Sequence, residues 1–299
     1  MADFVLPQPG LFALGTPVQT FLEFDLFDPS LATAEVLATV QDLVAGVKTG
    51  QGCNVVVGFR PTLWRTVRPD ACPDGLHDFE AAIVGDDGFT MPATQHDLVV
   101  WVAGGRPDSL FDEGRNAVDA LARIAALAHE NKGWNYHGNV DLTGFTDGTE
   151  NPTLAEASEI CLVADGPGVG ASLLLLQEWR HDLTAWADAG TAVQERAIGR
   201  TKADNAELDP KPAGAHNART DQDVVGKTCA RTSRSGECRI RARSSSGWPP
   251  TSAPCTRCCC AWPASTASRA TTSRATRPRT QGPTTCCPRP KRSRSVGCR

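Results

Sequence analysis

The sequence predicts an α+β fold of two tandem ferredoxin-like halves, of which the second is incomplete. Three observations lead to this class. Segments in which apolar and polar residues alternate are interleaved with segments whose apolar residues recur every three or four positions. The 299 residues suffice for two domains of ordinary size. The composition changes abruptly near residue 224, where the second unit has only half of its expected elements.

The first half is predicted to span residues 1–143 and to follow the order β-α-β and then β-α. Its strands are predicted from alternation or from short buried runs, and its helices from apolar residues spaced by three and four. In chain order the predicted elements are strand 20–26, helix 29–47, strand 54–59, strand 96–103 and helix 112–129.

The second half is predicted to begin at residue 144 and to run to residue 223. A leucine-rich strand over 171–179 precedes a helix that starts at Leu183, and a polar loop fills residues 200–223. The remaining strands of a ferredoxin-like unit would have to lie beyond residue 224.

The net charge of −4 conceals two parts of opposite charge. Residues 1–223 carry 14 basic and 33 acidic side chains, a net charge of −19. Residues 224–299 carry 16 basic side chains and one acidic side chain, a net charge of +15. Nine of the 12 cysteines also lie in this second part, which we call the tail.

The three cysteines before the tail, Cys53, Cys72 and Cys161, are far apart in sequence. This spacing favours a reducing, cytoplasmic compartment over a disulfide framework. No apolar run reaches the length of about 18 residues that a transmembrane helix needs. The first residues also lack the basic region of a secretory signal, so we expect a cytoplasmic protein with no membrane partner.

Three interpretations of the tail compete. It contains only four Ile, Leu or Val residues, too few to offset a backbone entropy cost of roughly 1–2 kcal/mol per ordered residue. It could be a basic arm for nucleic acid, or a zinc site at the cysteines of residues 255–260. The third interpretation, which we favour, is an out-of-frame translation of a GC-rich gene that gives a disordered tail over 224–299.

A shift of the reading frame restores protein-like patterns in the tail. In the shifted frame, the first base of each Cys, Trp or Ser codon that begins with T becomes a middle base, which encodes an apolar residue. With compatible third bases, residues 227–238 then read Asp-Leu-Arg-Ala-Asn-Val-Pro-Phe-Gly-Gly-Val. This reading requires a particular third base in each codon, so it shows that the tail sequence is compatible with a shift of the reading frame.

Two local signals suggest chemistry. Residues 141–152 read Asp-Leu-Thr-Gly-Phe-Thr-Asp-Gly-Thr-Glu-Asn-Pro, in which two glycines frame Asp147. Glycines let the backbone approach a flat partner closely, with the carboxylate held above it. His216 lies in a polar loop, where a histidine is usually solvated, although neutral imidazole is also a common axial ligand of haem iron.

These strings resemble the dye-decolourising haem peroxidases of the cytoplasmic bacterial subgroup. The resemblance covers about residues 5–223 and rests on several short strings that occur in the family's order. They are residues 7–10, 22–25, 57–64, 91–97, 144–152 with the motif G-x-x-D-G, 177–182, 198–202 and 216–221.

The resemblance implies a dimeric α+β barrel type of fold and haem b as the cofactor. His216 would be the proximal ligand of the iron, and Asp147 would move a proton between the two oxygens of hydrogen peroxide. Gly148 and Thr149 would contact the cofactor. The family also places a distal arginine shortly after the proximal histidine, but residues 229–232 here read Cys-Ala-Arg-Thr and do not match.

The implied activity is oxidation of dyes and phenolic compounds with hydrogen peroxide, by a homo-oligomer. Partnership with an encapsulin shell is left open. Without the distal arginine and the closing strands, we expect weak haem retention and slow turnover. Two other classes stay open: a haem-binding protein without turnover that uses His216 alone, and a protein whose basic, cysteine-rich tail binds nucleic acid or zinc.

Overall fold

The computed structural model describes residues 7–28, 33–46, 52–85, 88–235 and 255–262. The strands are β1 Val18–Leu26, β2 Cys53–Phe59, β3 Ile83–Val84, β4 Thr90–Met91, β5 Leu98–Gly104, β6 Ala125–Trp134, β7 Leu173–Arg180, β8 Cys229–Ser235 and β9 Cys255–Trp262. The helices are α1 Thr33–Gly46, α2 Pro61–Val67, α3 Pro107–Leu121, α4 Leu154–Cys161, α5 Leu183–Asp188, α6 Thr191–Ile198, α7 His216–Arg219 and α8 Gln222–Val225.

Seven of the strands form one sheet in the order β2-β5-β1-β6-β8-β9-β7. All neighbouring pairs in this sheet are antiparallel. The first four strands come from the first half of the chain and the last three from the second half. The two groups join where Trp134 of β6 pairs with Arg234 of β8. The predicted α+β class of tandem ferredoxin-like halves is therefore confirmed.

The core of the first half lies between its strands and the helices α1 and α3. In α3 the buried residues recur at three- and four-residue intervals, at Leu110, Gly114, Ala117 and Leu121, so a single stripe faces the sheet. The facing strand residues are apolar and almost fully buried. Those of β1 and β5 include Leu22, Phe24, Leu98, Val100 and Val102.

The predicted helix over 112–129 is wrong beyond Leu121. The chain turns there and continues as β6, which pairs with β1 from Ala125 opposite Leu26 to Trp134 opposite Val18. The apolar residues that suggested further helix belong to this strand, because pairing along all of β1 outweighs local periodicity. The predicted strands near 20–26, 54–59, 96–103 and 171–179 are confirmed as β1, β2, β5 and β7.

The beginning of the tail differs from the irregular chain that we expected. Residues 229–235 form β8, and residues 255–262 form β9, which pairs with both β8 and β7. Strand pairing uses backbone groups, so a segment poor in Val, Ile and Leu can still extend an existing sheet. The other tail residues beyond 235 lie outside the described residues, and the out-of-frame origin of the tail stays a prediction.

In the described part of the chain, every helix is too short or too polar to cross a bilayer.

Candidate active site

Asp147 lies in a compact loop that leads from β6 to α4. The Gly144 N–H donates to the Asp141 carbonyl over 2.8 Å, and the Asp141 N–H donates to the Phe145 carbonyl over 2.7 Å. The Asp147 N–H donates to the Asn139 carbonyl over 2.8 Å. These bonds fold the loop on itself and leave the Asp147 side chain half-buried at its edge.

Gly148 allows the chain to turn directly after Asp147. Its φ of +68° is a left-handed conformation that other residues rarely adopt. Its N–H donates to Asp147 Oδ1 over 2.7 Å, which fixes one carboxylate oxygen. Thr149 follows in the same turn with an exposed side chain. Gly148 and Thr149, the two residues predicted to contact the cofactor, therefore have different surroundings. Gly148 holds the Asp147 carboxylate, and the Thr149 side chain faces solvent.

Helices α5 and α6 hold this loop from one side. Trp186 Nε1 donates to the Thr143 carbonyl over 2.9 Å, and the Trp186 ring meets the buried Phe145 ring edge-on. Lys202 Nζ lies 5.5 Å from the centre of the same Phe145 ring and donates to Gln194 Oε1 over 2.8 Å. The loop is thus fixed by aromatic packing and a cation over a ring face.

Polar contacts hold the loop from the other side. Glu150 Oε1 accepts from Arg200 Nη2 over 3.0 Å. The Asn151 side chain pairs with the backbone of Ala230 in β8, accepting from its N–H and donating to its carbonyl, each over 2.8 Å. Strand β8 is therefore fastened next to Asp147.

Arg234, which also lies in β8, brings a buried positive charge to Asp147. Its side chain is 1% exposed, with Nη2 3.5 Å from Asp147 Oδ2 and Nε 3.9 Å from Asp141 Oδ2. A buried guanidinium requires negative partners, and the two carboxylates supply them. Arg234 was not predicted from the sequence, because it lies two residues beyond the segment 229–232 in which the family resemblance places the distal arginine. The one feature of the sequence that could have indicated Arg234 is that this arginine follows shortly after His216, in a segment that can form a strand.

His216 is the first residue of α7, a short helix fixed from both sides of the histidine. Ala215 is fully buried, and Asn217 is buried and donates from Nδ2 to the Gly199 carbonyl over 3.1 Å. The Gly199 carbonyl also accepts from the Leu208 N–H over 3.0 Å. The position of His216 thus depends on a close contact between α7 and the end of α6.

The His216 imidazole combines an exposed surface with a desolvating environment. Burial by the surrounding protein lowers its pKa from 6.5, and the negative charges of Asp147, Asp141 and Glu150 oppose this shift. Within the described residues the ring makes no hydrogen bond, so its nitrogens are available to a metal ion.

The structure therefore brings together two of the predicted site residues. The Asp147 carboxylate is close enough for its charge to act on the His216 imidazole. Gly148 adjoins Asp147, and Arg234 completes the cluster from β8. Among the described residues no group of three or more His, Cys, Asp or Glu side chains forms a metal centre.

Gly199→Ala should displace the helix that carries His216. Gly199 has a φ of +90°, and a Cβ there would lie 1.8 Å from Asn217 Oδ1, a severe clash. We expect a loss of about 2–4 kcal/mol in the free energy of unfolding, from backbone strain and overpacking together. Urea denaturation measures this loss.

Gly190→Ala is the matched control for this variant. Gly190 precedes α6, the helix that ends at Gly199, with a φ of +74°, but a Cβ there would meet nothing within 4 Å. The Gly190→Ala variant should lower the free energy of unfolding by only about 1–2 kcal/mol, the cost of backbone strain alone. Equal losses for the two variants would show that the Gly199–Asn217 contact does not fix α7.

Two family models cover most of this fold. The model described as "Dyp-type peroxidase, N-terminal" matches residues 16–135, and "Dyp-type peroxidase, C-terminal" matches residues 138–236. These matches define a two-domain peroxidase-type chain. The chain belongs to the Dyp-type peroxidase family. The exact division at 143/144 stays a prediction.

Curated relatives agree with this assignment. The chain is 33% identical over 230 residues to a dye-decolorizing peroxidase of Mycolicibacterium paratuberculosis, covering 73% of this chain and 64% of the relative. It is 31% identical over 238 residues to that of Mycobacterium tuberculosis, covering 76% and 70%. The chain thus spans about two thirds of the length of these relatives.

Solved structures have the same fold. A variant of DypB from Rhodococcus jostii in complex with heme is 28% identical, with a TM-score of 0.72, covering 86% of this chain and 83% of the other. The dye-decolorizing protein from V. cholerae is 27% identical, with a TM-score of 0.71, covering 87% and 82%.

Proposed function

We propose that this protein is a haem-dependent peroxidase that oxidises dyes and phenolic compounds with hydrogen peroxide. The observation that carries the proposal is the exposed His216 imidazole, on which the charge of the Asp147 carboxylate acts. The family membership and the heme in the related DypB structure support the same cofactor. The donor set fits haem b, because a single neutral imidazole is a common protein ligand of haem iron.

In this proposal, His216 holds the iron and Gly148 and Thr149 approach the porphyrin. Bound haem supplies an iron centre that binds peroxide and stores its oxidising power for single-electron transfer. Because Gly148 has no side chain, its backbone can come close to the porphyrin. Its N–H also donates to the carboxylate of Asp147 and keeps that group in place.

Asp147 moves the proton that peroxide cleavage requires. One oxygen of hydrogen peroxide must lose a proton, and the other must gain one before it leaves as water. Asp147 Oδ1 already accepts the Gly148 N–H, so Oδ2 is the oxygen suited to accept and return this proton. The loop contacts through Asn139 and Asn151 keep the carboxylate at a fixed height.

Arg234 stabilises negative charge at the same place. Its guanidinium is fully buried beside Asp147, with Nη2 3.5 Å from Asp147 Oδ2. The same charge favours the developing negative charge on the departing oxygen. We therefore assign to Arg234 the role that the family resemblance places at residues 229–232.

Arg234→Gln should lower the rate of peroxide-dependent dye oxidation about 10²–10³-fold, the usual effect of removing one preorganised donor. Haem binding should persist, because His216 is unchanged. Stopped-flow measurement of the reaction with peroxide, together with the haem absorption spectrum, separates the two effects.

Arg231→Gln is the control for this variant. Arg231 stands at the place where the resemblance expects the distal arginine, and its loss should leave the rate within about threefold of the unsubstituted chain. If Arg231→Gln slows the reaction and Arg234→Gln does not, the assignment of Arg234 is wrong.

Reconstitution tests the function as a whole. The full chain is mixed with ferric haem, freed of excess haem, and assayed with hydrogen peroxide and an anthraquinone dye or a phenol. We expect a Soret band and dye oxidation that depends on both haem and peroxide. The family match ends at residue 236, so we expect slow turnover. A Soret band without any oxidation would instead identify a haem-binding protein without turnover.

Localisation and assembly belong to the same proposal. Cys53, Cys72 and Cys161 are all free thiols, which supports a reducing compartment and hence the cytoplasm. Formation of a homo-oligomer stays a prediction, as does any association with an encapsulin shell. The reductants are expected to be small aromatic compounds and dyes.

A further inference from the structure

One arginine connects the two segments that carry the predicted site residues. Arg200 directly follows the end of α6, and its side chain is only 15% exposed. Its Nη2 donates to Glu150 Oε1 over 3.0 Å and to Glu207 Oε1 over 2.7 Å. Its Nη1 donates to the Asn205 carbonyl over 3.2 Å. A single guanidinium therefore holds two carboxylates that come from distant parts of the chain.

The first of these carboxylates belongs to the Asp147 loop. Glu150 is the third residue after Asp147, and the turn between them is closed by the Asn151 N–H, which donates to the Gly148 carbonyl over 3.2 Å. The Glu150 carbonyl also accepts from Gln222 Nε2 over 3.1 Å. Both the side chain and the backbone of Glu150 are therefore held, and the position of Asp147 follows from that of Glu150.

The second carboxylate belongs to the chain that leads to His216. Glu207 pairs with Arg200 across a short antiparallel bridge. While its Oε1 accepts from the arginine, its Oε2 lies 2.8 Å from Lys211 Nζ. From Lys211 the chain continues directly to α7, which begins at His216. Arg200 thus fixes the start of the segment that carries the histidine.

The exposure of the two carboxylates indicates what this network does. The Glu150 and Glu207 side chains are 44% and 42% exposed, and ion pairs at such positions contribute little to the free energy of unfolding. The guanidinium between them is planar, with several donors in fixed directions, and it is largely buried. The network is therefore better suited to setting a position than to holding the whole fold together.

We propose that Arg200 is a positioning residue, which fixes the loop that carries Asp147 relative to the chain that carries His216. The inference rests on the proposed function for its consequence, because Asp147 and His216 would act on the same haem and the same peroxide. A displacement of about 1 Å between reacting groups costs about 10²-fold in rate. The connection itself does not depend on haem.

Hydrogen exchange in the haem-free full chain tests the connection. The amides of Asp147 and Leu208 both donate to backbone carbonyls, so each reports on one of the two segments. Arg200→Gln should speed exchange at least about tenfold in the peptides that contain these amides, and should leave the peptide of β5 unchanged. A residue that only stabilised the fold would speed exchange in all three peptides.

Arg200→Lys keeps the test decisive if Arg200→Gln does not fold. Lysine retains the positive charge but loses the bond to the Asn205 carbonyl and the fixed plane of the guanidinium. We expect the same two peptides to exchange about threefold faster than in the unsubstituted chain, again without a change in β5.

The haem-loaded protein tests the consequence. Arg200→Gln should slow the first spectral change with hydrogen peroxide about 10–100-fold, while the KM for the dye stays within about twofold. Glu207→Gln should also slow this step, although Glu207 lies outside the Asp147 loop. In a chain that already carries Arg200→Gln, the Glu207 substitution should have almost no further effect, because it acts through the arginine.

Arg196→Gln is the matched control. Arg196 is an exposed residue of the same helix end, and its substitution removes the same charge. Its variant should exchange and react within about twofold of the unsubstituted chain.

The inference is overturned if neither Arg200 variant speeds exchange, if only one of the two peptides responds, or if β5 responds equally. It is also overturned if Glu207→Gln slows the Arg200→Gln chain as much as it slows the unsubstituted one. If both peptides respond but the unsubstituted chain never oxidises a dye, the proposed function fails and the connection stands. If that chain oxidises dye and Arg200→Gln reacts equally fast, the function stands and this inference fails.

Discussion

His216→Ala should abolish stable haem binding. His216 is exposed, and the charge of Asp147 acts on its imidazole. Loss of a direct metal ligand should cost more than the roughly 10–100-fold in affinity that loss of a ligand's hydrogen-bond partner costs. Titration of ferric haem, followed by its Soret band, measures the change. The protein should stay folded, because the helix is anchored by Asn217 and the buried Ala215.

His181→Ala is the control for the ligand. His181 Nε2 is buried without a hydrogen-bond partner among the described residues, so His181 is another histidine with a nitrogen that could bind iron. We read His181 as a structural residue, and its variant should bind haem within about threefold of the unsubstituted chain. If the His181 variant loses the Soret band and the His216 variant keeps it, the ligand assignment fails.

Asp147→Asn should slow peroxide cleavage about 10²–10⁴-fold, the usual contribution of a positioned acid–base group. The amide keeps the size of the side chain and removes its ability to take up a proton. Haem affinity and the resting spectrum should be almost unchanged, since His216 is intact. Rapid mixing with hydrogen peroxide measures the rate of the first spectral change.

Asp141→Asn is the matched control for this carboxylate. Asp141 also lies beside Arg234, with 3.9 Å from its Oδ2 to the guanidinium Nε, and its charge also acts on His216. It differs in that its Oδ1 accepts the Thr143 N–H within the turn. The Asp141→Asn variant should slow the reaction with hydrogen peroxide by less than about tenfold. Equal losses would mean that charge alone, and not proton transfer at Asp147, accounts for the effect.

The sequence predicted most of the first half of the fold because its strands and helices have clear periodicity. It failed after Leu121, because residues up to 129 look helical in isolation, whereas residues 125–134 form β6 and pair with all of β1. No local pattern contains this information, since the partner strand lies about 100 residues earlier.

Only part of the site could be predicted from the sequence, because the rest depends on contacts between distant segments. Asp147 and His216 stand in strings that resemble a family, so both could be named from the sequence. The position of Arg234 depends on the path of β8 beside the Asp147 loop. Composition suggested that this segment could not be ordered, whereas backbone pairing with β9 places it in the sheet.

Chemical rescue of a His216→Gly variant tests directly whether the imidazole of His216 holds the haem. The variant is reconstituted with ferric haem, and the Soret region is recorded before and after addition of free imidazole. The account predicts almost no protein-bound haem at first and a spectrum close to that of the unsubstituted chain once imidazole occupies the position of the lost ring. A His216→Gly chain that binds haem with the unsubstituted spectrum in the absence of imidazole would contradict it.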